Sequence, residues 1–265
     1  MTILDEIIEN KIYEIILRKQ RVSSAELKES LYYKRETYSL KNKLMNAPGI
    51  ISEFKRRSPS KGIIKEHANV RAITKSYELA GASACSILTD EKYFGGKDQD
   101  IIDTRSVLFI PILRKEFIID PYQIIEAKSI GADLILLIAE CLSKIQVMEY
   151  TQRAHDIGLE VLMELHFPEE LEKWNPGVDL LGINNRNLKS FETGIHRSMD
   201  IAGILPKESL WISESGLQGS EELEALMKVG YRGFLIGETF MRSEDPGALC
   251  HQFVMNLKNT IVNGI

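Results

Sequence analysis

Eight short apolar segments recur along the chain from residue 49 onward, and amphipathic or polar stretches separate them. Several of these segments begin shortly after a glycine that ends a helical pattern, as at Gly81, Gly131, Gly158 and Gly230. Glycine adopts the left-handed conformation that commonly terminates a helix. The pattern therefore predicts eight strands, at residues 50–54, 82–88, 107–113, 133–138, 159–164, 180–183, 210–212 and 233–237.

Helical patterns fill the intervals between these strands, and Asp120 followed by Pro121 is typical of a capped helix start. The strands are apolar almost continuously, which is typical of a parallel sheet buried on both faces. Eight such units in about 220 residues predict a closed (β/α)8 barrel, with an open doubly wound sheet as the alternative. The predicted helices lie at residues 67–80, 98–106, 120–130, 143–157, 168–174, 197–204, 220–229 and 246–262.

Residues 1–46 precede this repeating pattern and are predicted to be helical. An amphipathic helix at residues 2–20 is capped by Thr2, and shorter helices follow at residues 23–31 and 40–45. So short a segment would bury little core on its own, although a separate helical domain is the alternative. We therefore predict an α/β chain in which an N-terminal helical extension, residues 1–46, packs on a catalytic barrel, residues 47–265.

Composition narrows the class of protein. The 265 residues are 44% hydrophobic and 27% charged, with a net charge of -5, which suggests no generic affinity for nucleic acid or membranes. The acidic N-terminus does not resemble a secretory signal, and three isolated cysteines suggest a reducing cytoplasm. The five histidines show no metal-binding spacing, and neither GxGxxG nor a Walker A motif is present.

Polar side chains follow every predicted strand, at the end of the barrel where such folds place their chemistry. Glu53 and Lys55 are two residues apart, so on a strand they share a face and pair a carboxylate with an ammonium. Singly, each charge is better explained as a solvated loop residue, but jointly they would converge on one mouth, where burial without a charged ligand is costly. The residues at these exits are Glu53, Lys55, Ser58, Thr89, Asp90, Arg114, Lys115, Glu116, Glu140, Glu164, His166, Asn184, Asn185, Arg186, Glu214, Ser215, Gly216, Gly237 and Glu238.

The seventh and eighth exits predict a phosphate site. Glycines at Ser215-Gly216 and Gly237-Glu238 would let backbone N–H groups approach an anion, where barrels often bind phosphate against a short helix. Arg186 would add a bidentate contact and Lys55 a point charge, whereas Glu238 can help only through its N–H. We expect a phosphomonoester ligand.

Five ordered motifs resemble indole-3-glycerol-phosphate synthases, and the resemblance runs from about residue 3 to residue 256. The departures are small: Glu116 stands where that family often has Asp, Glu140-Cys141 where small apolar residues are common, and Gly194 where Asp is frequent. The motifs are EFKRRSPSKG at 53–62, SILTD at 86–90 with FGG at 94–96, PILRKEFIID at 111–120, GINNRNL at 182–188 and SESG at 213–216.

The resemblance implies a reaction of tryptophan biosynthesis. In it, 1-(2-carboxyphenylamino)-1-deoxyribulose 5-phosphate closes a ring and loses CO2 and water to give indole-3-glycerol phosphate, without a cofactor. The expected partner is thus a phosphorylated small molecule, and we expect a monomer or a weak homo-oligomer.

The residues agree with this chemistry. During ring closure negative charge develops on the ketone oxygen, so an acid or a cation must protonate or stabilise it. Lys115 fits that role. Dehydration needs an acid and a base, which Glu164, Glu53 and Lys55 can supply, and Asn184 is expected to hold hydroxyls or orient Glu53. Which lysine gives which proton stays open. Substrate and phosphate binding is assigned to Ser58, Arg186, Glu214, Ser215, Gly216, Gly237 and Glu238, with Glu214 supporting a lysine or a substrate hydroxyl.

Two alternatives remain at this stage. Another phosphate-binding barrel, such as phosphoribosylanthranilate isomerase, typically uses a Cys/Asp pair, but Cys85 falls in the middle of a predicted strand. A catalytically silent barrel that binds a phosphorylated ligand would not need the full set of lysines and glutamates. Both alternatives would bind phosphate, and only the synthase would release CO2.

Overall fold

The computed structural model describes residues 2–186 and 193–262, so Asn187 and Leu188 of the GINNRNL motif lie outside the described residues. Eight parallel strands pair in chain order and close into a barrel when the last strand pairs with the first, which confirms the predicted (β/α)8 fold. A two-stranded hairpin, Arg57–Ser58 with Gly62–Ile63, follows the first strand. The strands are β1 Gly49–Phe54, β2 Ala84–Leu88, β3 Ile112–Lys115, β4 Leu134–Ile138, β5 Glu160–Leu165, β6 Leu180–Asn184, β7 Leu210–Glu214 and β8 Gly233–Ile236.

Helices surround the barrel and also precede it. Within the described residues, no helix is both long and apolar enough to cross a bilayer. The α-helices are α1 Ile3–Arg21, α2 Ser24–Lys28, α3 Leu40–Asn46, α4 Val70–Ala80, α5 Glu91–Phe94, α6 Asp98–Arg105, α7 Pro121–Ile130, α8 Lys144–Asp156, α9 His196–Ile201, α10 Ser220–Lys228, α11 Glu238–Arg242 and α12 Pro246–Val262; Ala139–Cys141, Pro168–Lys173 and Ala202–Ile204 are 3-10 helices.

Two predicted elements differ from the structure. The third strand was predicted at 107–113 but runs Ile112–Lys115, because residues 107–111 form an apolar loop. The backbone N–H groups of Val107 and Leu108 donate to Thr104 O, and the buried Arg105 guanidinium donates to the carbonyls of Leu108 and Ile110. Leu108 and Ile110 are apolar because they are buried, not because they pair in the sheet, whereas Phe109 is exposed. The helix predicted at 168–174 is the 3-10 helix Pro168–Lys173.

The core has two parts. Side chains that point into the barrel form one cluster, which includes Ile51, Leu113 and Leu162, and the larger cluster lies between the strands and the outer helices. Leu40 and Leu44 of α3 are fully buried in the inner cluster. Because Leu44 packs beside Gly49 and Gly233, at the starts of β1 and β8, α3 closes the end of the barrel opposite the mouth.

Helix α1 lies across the mouth. Thr2 and Asp5 form the capping box at its start, as predicted for Thr2, and Ile3, Leu4 and Ile7 face the cavity at the strand ends. The extension therefore contacts both ends of the barrel.

A buried lysine holds α1 in this position. Lys11 is 1% exposed, and its ammonium lies 2.9 Å from Asp90 Oδ2 and 3.0 Å from Glu116 Oε1. These carboxylates follow β2 and β3, and Thr89 Oγ1 donates a 2.7 Å hydrogen bond to Glu116. Glu14 on α1 completes the cluster at 2.8 Å.

We predict that Lys11→Met destabilises the chain by roughly 3–5 kcal/mol, because Asp90 and Glu116 would remain buried without a cation. Lys19→Met is the matched control, since Lys19 is on the same helix and pairs with Asp120 at the surface, with its side chain 45% exposed. The control should change the free energy of unfolding by less than about 1 kcal/mol. Urea denaturation measures the free energy of unfolding of both variants. Equal losses of stability would contradict the conclusion that Lys11 holds α1 against the barrel.

Candidate active site

A cavity of about 560 Å³ opens at the carboxyl ends of the strands, a size that suits a small-molecule ligand. Charged side chains from the strand ends line its floor, and apolar residues from α1 and the loops line one wall. The spacing of Leu4 and Ile7 revealed an apolar helix face, and the family resemblance implied that the extension lies near the mouth of the active site, where the structure places it. That Leu4 and Ile7 themselves line the cavity was not predicted.

The floor of the cavity is one layer of four charged residues. Glu53, Lys115, Glu164 and Glu214 come from β1, β3, β5 and β7, which are alternate strands. Barrel interiors are built from such layers of four side chains contributed by alternate strands. In this chain the layer nearest the mouth is ionic, whereas the layers below it are aliphatic.

Lys115 lies between two of these carboxylates. Its ammonium is 2.6 Å from Glu164 Oε2 and 2.5 Å from Glu214 Oε2. The two carboxylate side chains are 3% and 1% exposed, and the Lys115 side chain is 14% exposed. The three groups thus form a compact buried cluster with one cation and two acids.

Burial and mutual charge shift the pKa values of these three groups in different directions. Burial would lower the pKa of Lys115, but the charges of Glu164, Glu214 and Glu53 raise it above its ordinary value. Burial and the charge of Glu164 raise the pKa of Glu214 to about 8, although the charge of Lys115 opposes this increase. Burial also opposes ionisation of Glu164, yet Lys115 and His166 lower its pKa to about 2. The two carboxyl groups are thus driven apart, so that Glu164 ionises more readily than Glu214.

Two glycines make room for this layer. A Cβ at Gly182 on β6 would lie 2.2 Å from Glu214 Oε1, and one at Gly237 would lie 2.3 Å from Glu53 Oε1. Gly237 was predicted to let a backbone N–H approach phosphate, which stays a prediction, and the structure gives it a packing role against Glu53. Lys55 Nζ donates a 2.7 Å hydrogen bond to Glu53 Oε1, so these two residues share a face as predicted.

The opposite side of the cavity is rich in cations. Arg186 donates hydrogen bonds to Glu238 Oε2 at 3.0 Å and to Ser60 Oγ at 2.9 Å. Lys61 and Arg242 lie 3.9 Å and 3.4 Å from Glu238 Oε1. One carboxylate therefore faces three basic side chains, which leaves a cationic surface next to the start of α11.

Ser215 and Gly216 form a tight turn beside these cations. Ser215, at φ 68°, is the one non-glycine residue with positive φ in the described chain, and Gly216 follows at φ 76°. A Cβ at Gly216 would lie 2.7 Å from the backbone N of Gly194, so only glycine fits there. Strained backbone of this kind is typical of functional sites. The sequence indicated the glycine but not the strain at Ser215.

The structure brings all the predicted site residues to this cavity. Ser58 and Asn184 also line the cavity. Asn184 Oδ1 accepts a 3.0 Å hydrogen bond from the Arg186 backbone N–H. The predicted contact between Asn184 and Glu53 is not among the hydrogen bonds of the described residues. Lys55, predicted beside the phosphate, contacts Glu53. Of the other exit residues, Arg114 points outward and binds Asp98 and Glu126.

Metal ligation finds no support in the described parts of the chain. Across residues 2–186 and 193–262, no group of three or more His, Cys, Asp or Glu side chains is arranged to hold a metal ion.

The fold and this cavity define a (β/α)8 barrel with a charged, ligand-sized cavity at the carboxyl ends of its strands. Residues 4–253 match the family model described as indole-3-glycerol phosphate synthase. A Bacteroides thetaiotaomicron protein named indole-3-glycerol phosphate synthase is 49% identical over 253 residues, covering 95% of this chain and 97% of that protein. The chain belongs to the indole-3-glycerol phosphate synthase family, which decides against the isomerase alternative.

Solved structures of lower identity show the fold alone. Thiamine phosphate pyrophosphorylase from Pyrococcus furiosus superposes with a TM-score of 0.60 at 15% identity, covering 84% of this chain and 100% of that one. The structure described as native KDPGal gives a TM-score of 0.56 at 17% identity, covering 80% of this chain and 96% of that one.

The raised pKa of Glu214 gives a pH-dependent prediction. The folded-state pKa of Glu214, about 8, lies above its ordinary 4.5, so the associated stability is full below about pH 4.5 and is lost as the pH rises through about 8. Relative to Glu214→Gln, the wild-type free energy of unfolding should fall across this window by up to about 1.4 kcal/mol per pH unit. Glu164 titrates below the window. Urea denaturation at intervals across it provides the measurement, and parallel profiles would show that Glu214 does not hold the proton.

Proposed function

We propose that this cavity catalyses the reaction of the family: ring closure, decarboxylation and dehydration of 1-(2-carboxyphenylamino)-1-deoxyribulose 5-phosphate to indole-3-glycerol phosphate. The observation that carries the proposal is the buried Lys115 ammonium between Glu164 and Glu214, because the reaction needs a positioned acid and a positioned base in one site.

Lys115 serves as the acid of ring closure. As the ring carbon attacks the ketone, negative charge develops on the ketone oxygen, and an ammonium can stabilise that charge and then protonate it. Its two carboxyl neighbours hold the ammonium in place but raise its pKa, so the proton moves only when an alkoxide forms. Glu164, ionised beside it, serves as the base that takes the ring proton during dehydration.

Glu53 and Lys55 supply the proton that the leaving hydroxyl takes up during dehydration. They form a second acid–base pair at the end of β1, and one strand, β2, lies between β1 and β3, which carries Lys115. Asn184 sits at the end of β6 beside the cationic side of the cavity, where its amide can hold a sugar hydroxyl.

The phosphate binds on the cationic side. Arg186 and the backbone N–H groups at Ser215, Gly216, Gly237 and Glu238 surround it, and Ser58 donates from the loop after β1. In this proposal the phosphate replaces the Glu238 carboxylate as the partner of Arg186. The apolar wall from α1, opposite this end, then faces the aromatic ring.

Two further proposals concern the whole chain. We propose that residues 1–46 act as an extension of a catalytic barrel formed by residues 47–265, since α1 supplies part of the cavity wall. We also propose a cytoplasmic location and a monomeric or weakly oligomeric state. The three free cysteines Cys85, Cys141 and Cys250 support a reducing compartment.

The function is tested by incubating the chain with the carboxyphenylamino sugar phosphate while recording indole fluorescence and released CO2. Equimolar indole product and CO2 are expected. Binding of the substrate without either product would indicate a silent barrel.

Lys115→Met should lower kcat by at least about a hundredfold while the chain stays folded, because the acid is removed. Lys115→Arg should rescue little, since guanidinium keeps the charge but is a poor proton donor near neutral pH. Lys228→Met, an exposed lysine on α10 whose side chain is 57% exposed, is the control and should keep wild-type activity. Steady-state fluorescence assays with circular dichroism measure both effects, and a nearly fully active Lys115→Arg would rule out the proton-donor role.

Arg186→Ala should raise KM more than it lowers kcat, because a phosphate contact acts equally in the ground and transition states. Arg71→Ala removes an exposed arginine from α4 and controls for the loss of one positive charge. Michaelis–Menten kinetics of the two variants give the comparison. A large loss of kcat at unchanged KM would instead place Arg186 in the chemical steps.

A further inference from the structure

Asn185 is a strand-exit residue to which the catalytic and binding assignments give no role. It follows β6 directly and is 5% exposed. A buried amide has two donor hydrogens and an acceptor oxygen, and leaving any of them without a partner is costly. The partners of Asn185 within the described residues lie at the end of β7, in the turn after it and in α9.

The amide of Asn185 reaches around the tight turn that follows β7. Its Nδ2 lies 3.1 Å from Glu214 O, 3.2 Å from Ser215 O and 3.0 Å from Ser213 Oγ, and its two hydrogens are shared among these acceptors. Oδ1 accepts a 3.0 Å hydrogen bond from the Ser198 backbone N–H. Because a carbonyl can only accept and a backbone N–H can only donate, these partners fix the orientation of the amide.

The hydrogen bonds from Asn185 set the direction of two peptide groups. No peptide bond in the described chain is cis, and in a trans peptide the carbonyl and the N–H point in opposite directions. The carbonyls of Glu214 and Ser215 point toward Asn185. The N–H groups of the same two peptides, on Ser215 and Gly216, therefore point away from it. Both of these residues line the cavity, and their N–H groups are among those assigned to the phosphate.

The conformation of this turn needs such support. Ser215 has a φ of 68°, and a non-glycine residue in this region persists only where the surrounding structure over-determines it. Asn185 donates to the carbonyl before the Ser215 α-carbon and to the carbonyl after it. The strained residue is therefore held through both of its peptide groups.

A buried network behind Asn185 keeps its amide in place. The hydroxyl oxygens of Ser198 and Ser213 are 2.9 Å apart, and the Tyr231 hydroxyl donates a 2.7 Å hydrogen bond to Ser198 O. All three residues of this network are buried. Helix α9 is thus tied to β7, and Asn185 contacts the turn from a rigid support.

We propose that Asn185 is a positioning residue that holds the Ser215–Gly216 turn in the orientation that presents its N–H groups to the phosphate of the substrate. This role rests on the proposed function, which includes the phosphate site, and deepens it by naming the residue that preorganises that site. Asn185 acts through the turn and not by contact with the phosphate. Donors that are already ordered bind more tightly, because the cost of ordering them is not incurred on binding. Loss of the Asn185 amide should therefore weaken phosphate binding without slowing the chemical steps.

Asn185→Asp is the test variant, because it keeps the acceptor for the Ser198 N–H but turns the donor nitrogen into an oxygen that faces two carbonyls. The KM for the substrate and the dissociation constant of inorganic phosphate, measured by calorimetric titration, should both rise at least about tenfold, the loss typical of a hydrogen bond to a charged group. The kcat should stay within about threefold of the wild-type value, since a phosphate contact acts equally in the ground and transition states.

Asn185→Ala is the second variant, because it removes the donor without adding a charge. It should raise the KM and the phosphate dissociation constant in the same direction, which separates loss of the turn's support from charge repulsion. It also replaces Asn185→Asp if that variant does not fold.

Ser198→Ala is the matched control. It also removes a buried hydrogen bond of this network, the one to Ser213 Oγ, but leaves both carbonyl contacts of Asn185 in place. It should keep the wild-type KM, kcat and phosphate affinity. An equal loss of affinity in Ser198→Ala would overturn the role of Asn185, because any weakening of the network would then suffice.

Unchanged phosphate affinity in the Asn185 variants, or a loss of kcat at unchanged KM, would also overturn it. The phosphate titration does not require turnover. A wild-type chain that binds phosphate in an Asn185-dependent way but forms no indole product would therefore overturn the proposed reaction and leave the role of Asn185 standing.

Discussion

The pairing of one buried ammonium with two buried carboxyl groups is the interaction on which the site depends. Lys115 needs Glu164 and Glu214 to offset its desolvation, and they need Lys115 for the same reason. Because two carboxyl groups share one cation, burial and the Glu164 charge raise the pKa of Glu214, whereas Lys115 lowers the pKa of Glu164. The charge balance that stabilises the barrel floor also provides an acid and an ionised base side by side.

The scaffold that supports this floor could largely be predicted from sequence. The glycine-terminated helices and continuous apolar strands gave the barrel, and the residue after each apolar run gave the ring of charges at the mouth. The prediction succeeded at Glu53 and Lys55 because a strand places alternate residues on one face. It failed at 107–111, where Leu108 and Ile110 are apolar because they are buried beside Arg105 and not because they pair in a strand.

The rest depended on long-range packing that local patterns do not encode. The ion pair between Lys11 and Glu116 joins residues more than a hundred positions apart, and in the sequence Lys11 looked like any polar residue of an amphipathic helix. Gly182 reads as an ordinary strand glycine until Glu214 Oε1 is seen against it. His166 stood at a strand exit two residues after Glu164, but its other neighbour, Glu140, follows a different strand, β4.

The most direct test of this account is a crystal structure of the chain with the substrate analogue in which the ketone is reduced to an alcohol. The account predicts the phosphate between Arg186 and the turn at Ser215 and Gly216, with Arg186 released from Glu238. It also predicts the alcohol oxygen within hydrogen-bond distance, about 2.7–3.2 Å, of Lys115 Nζ. An analogue whose alcohol oxygen meets Lys55 instead, with Lys115 still bound only to Glu164 and Glu214, would contradict it.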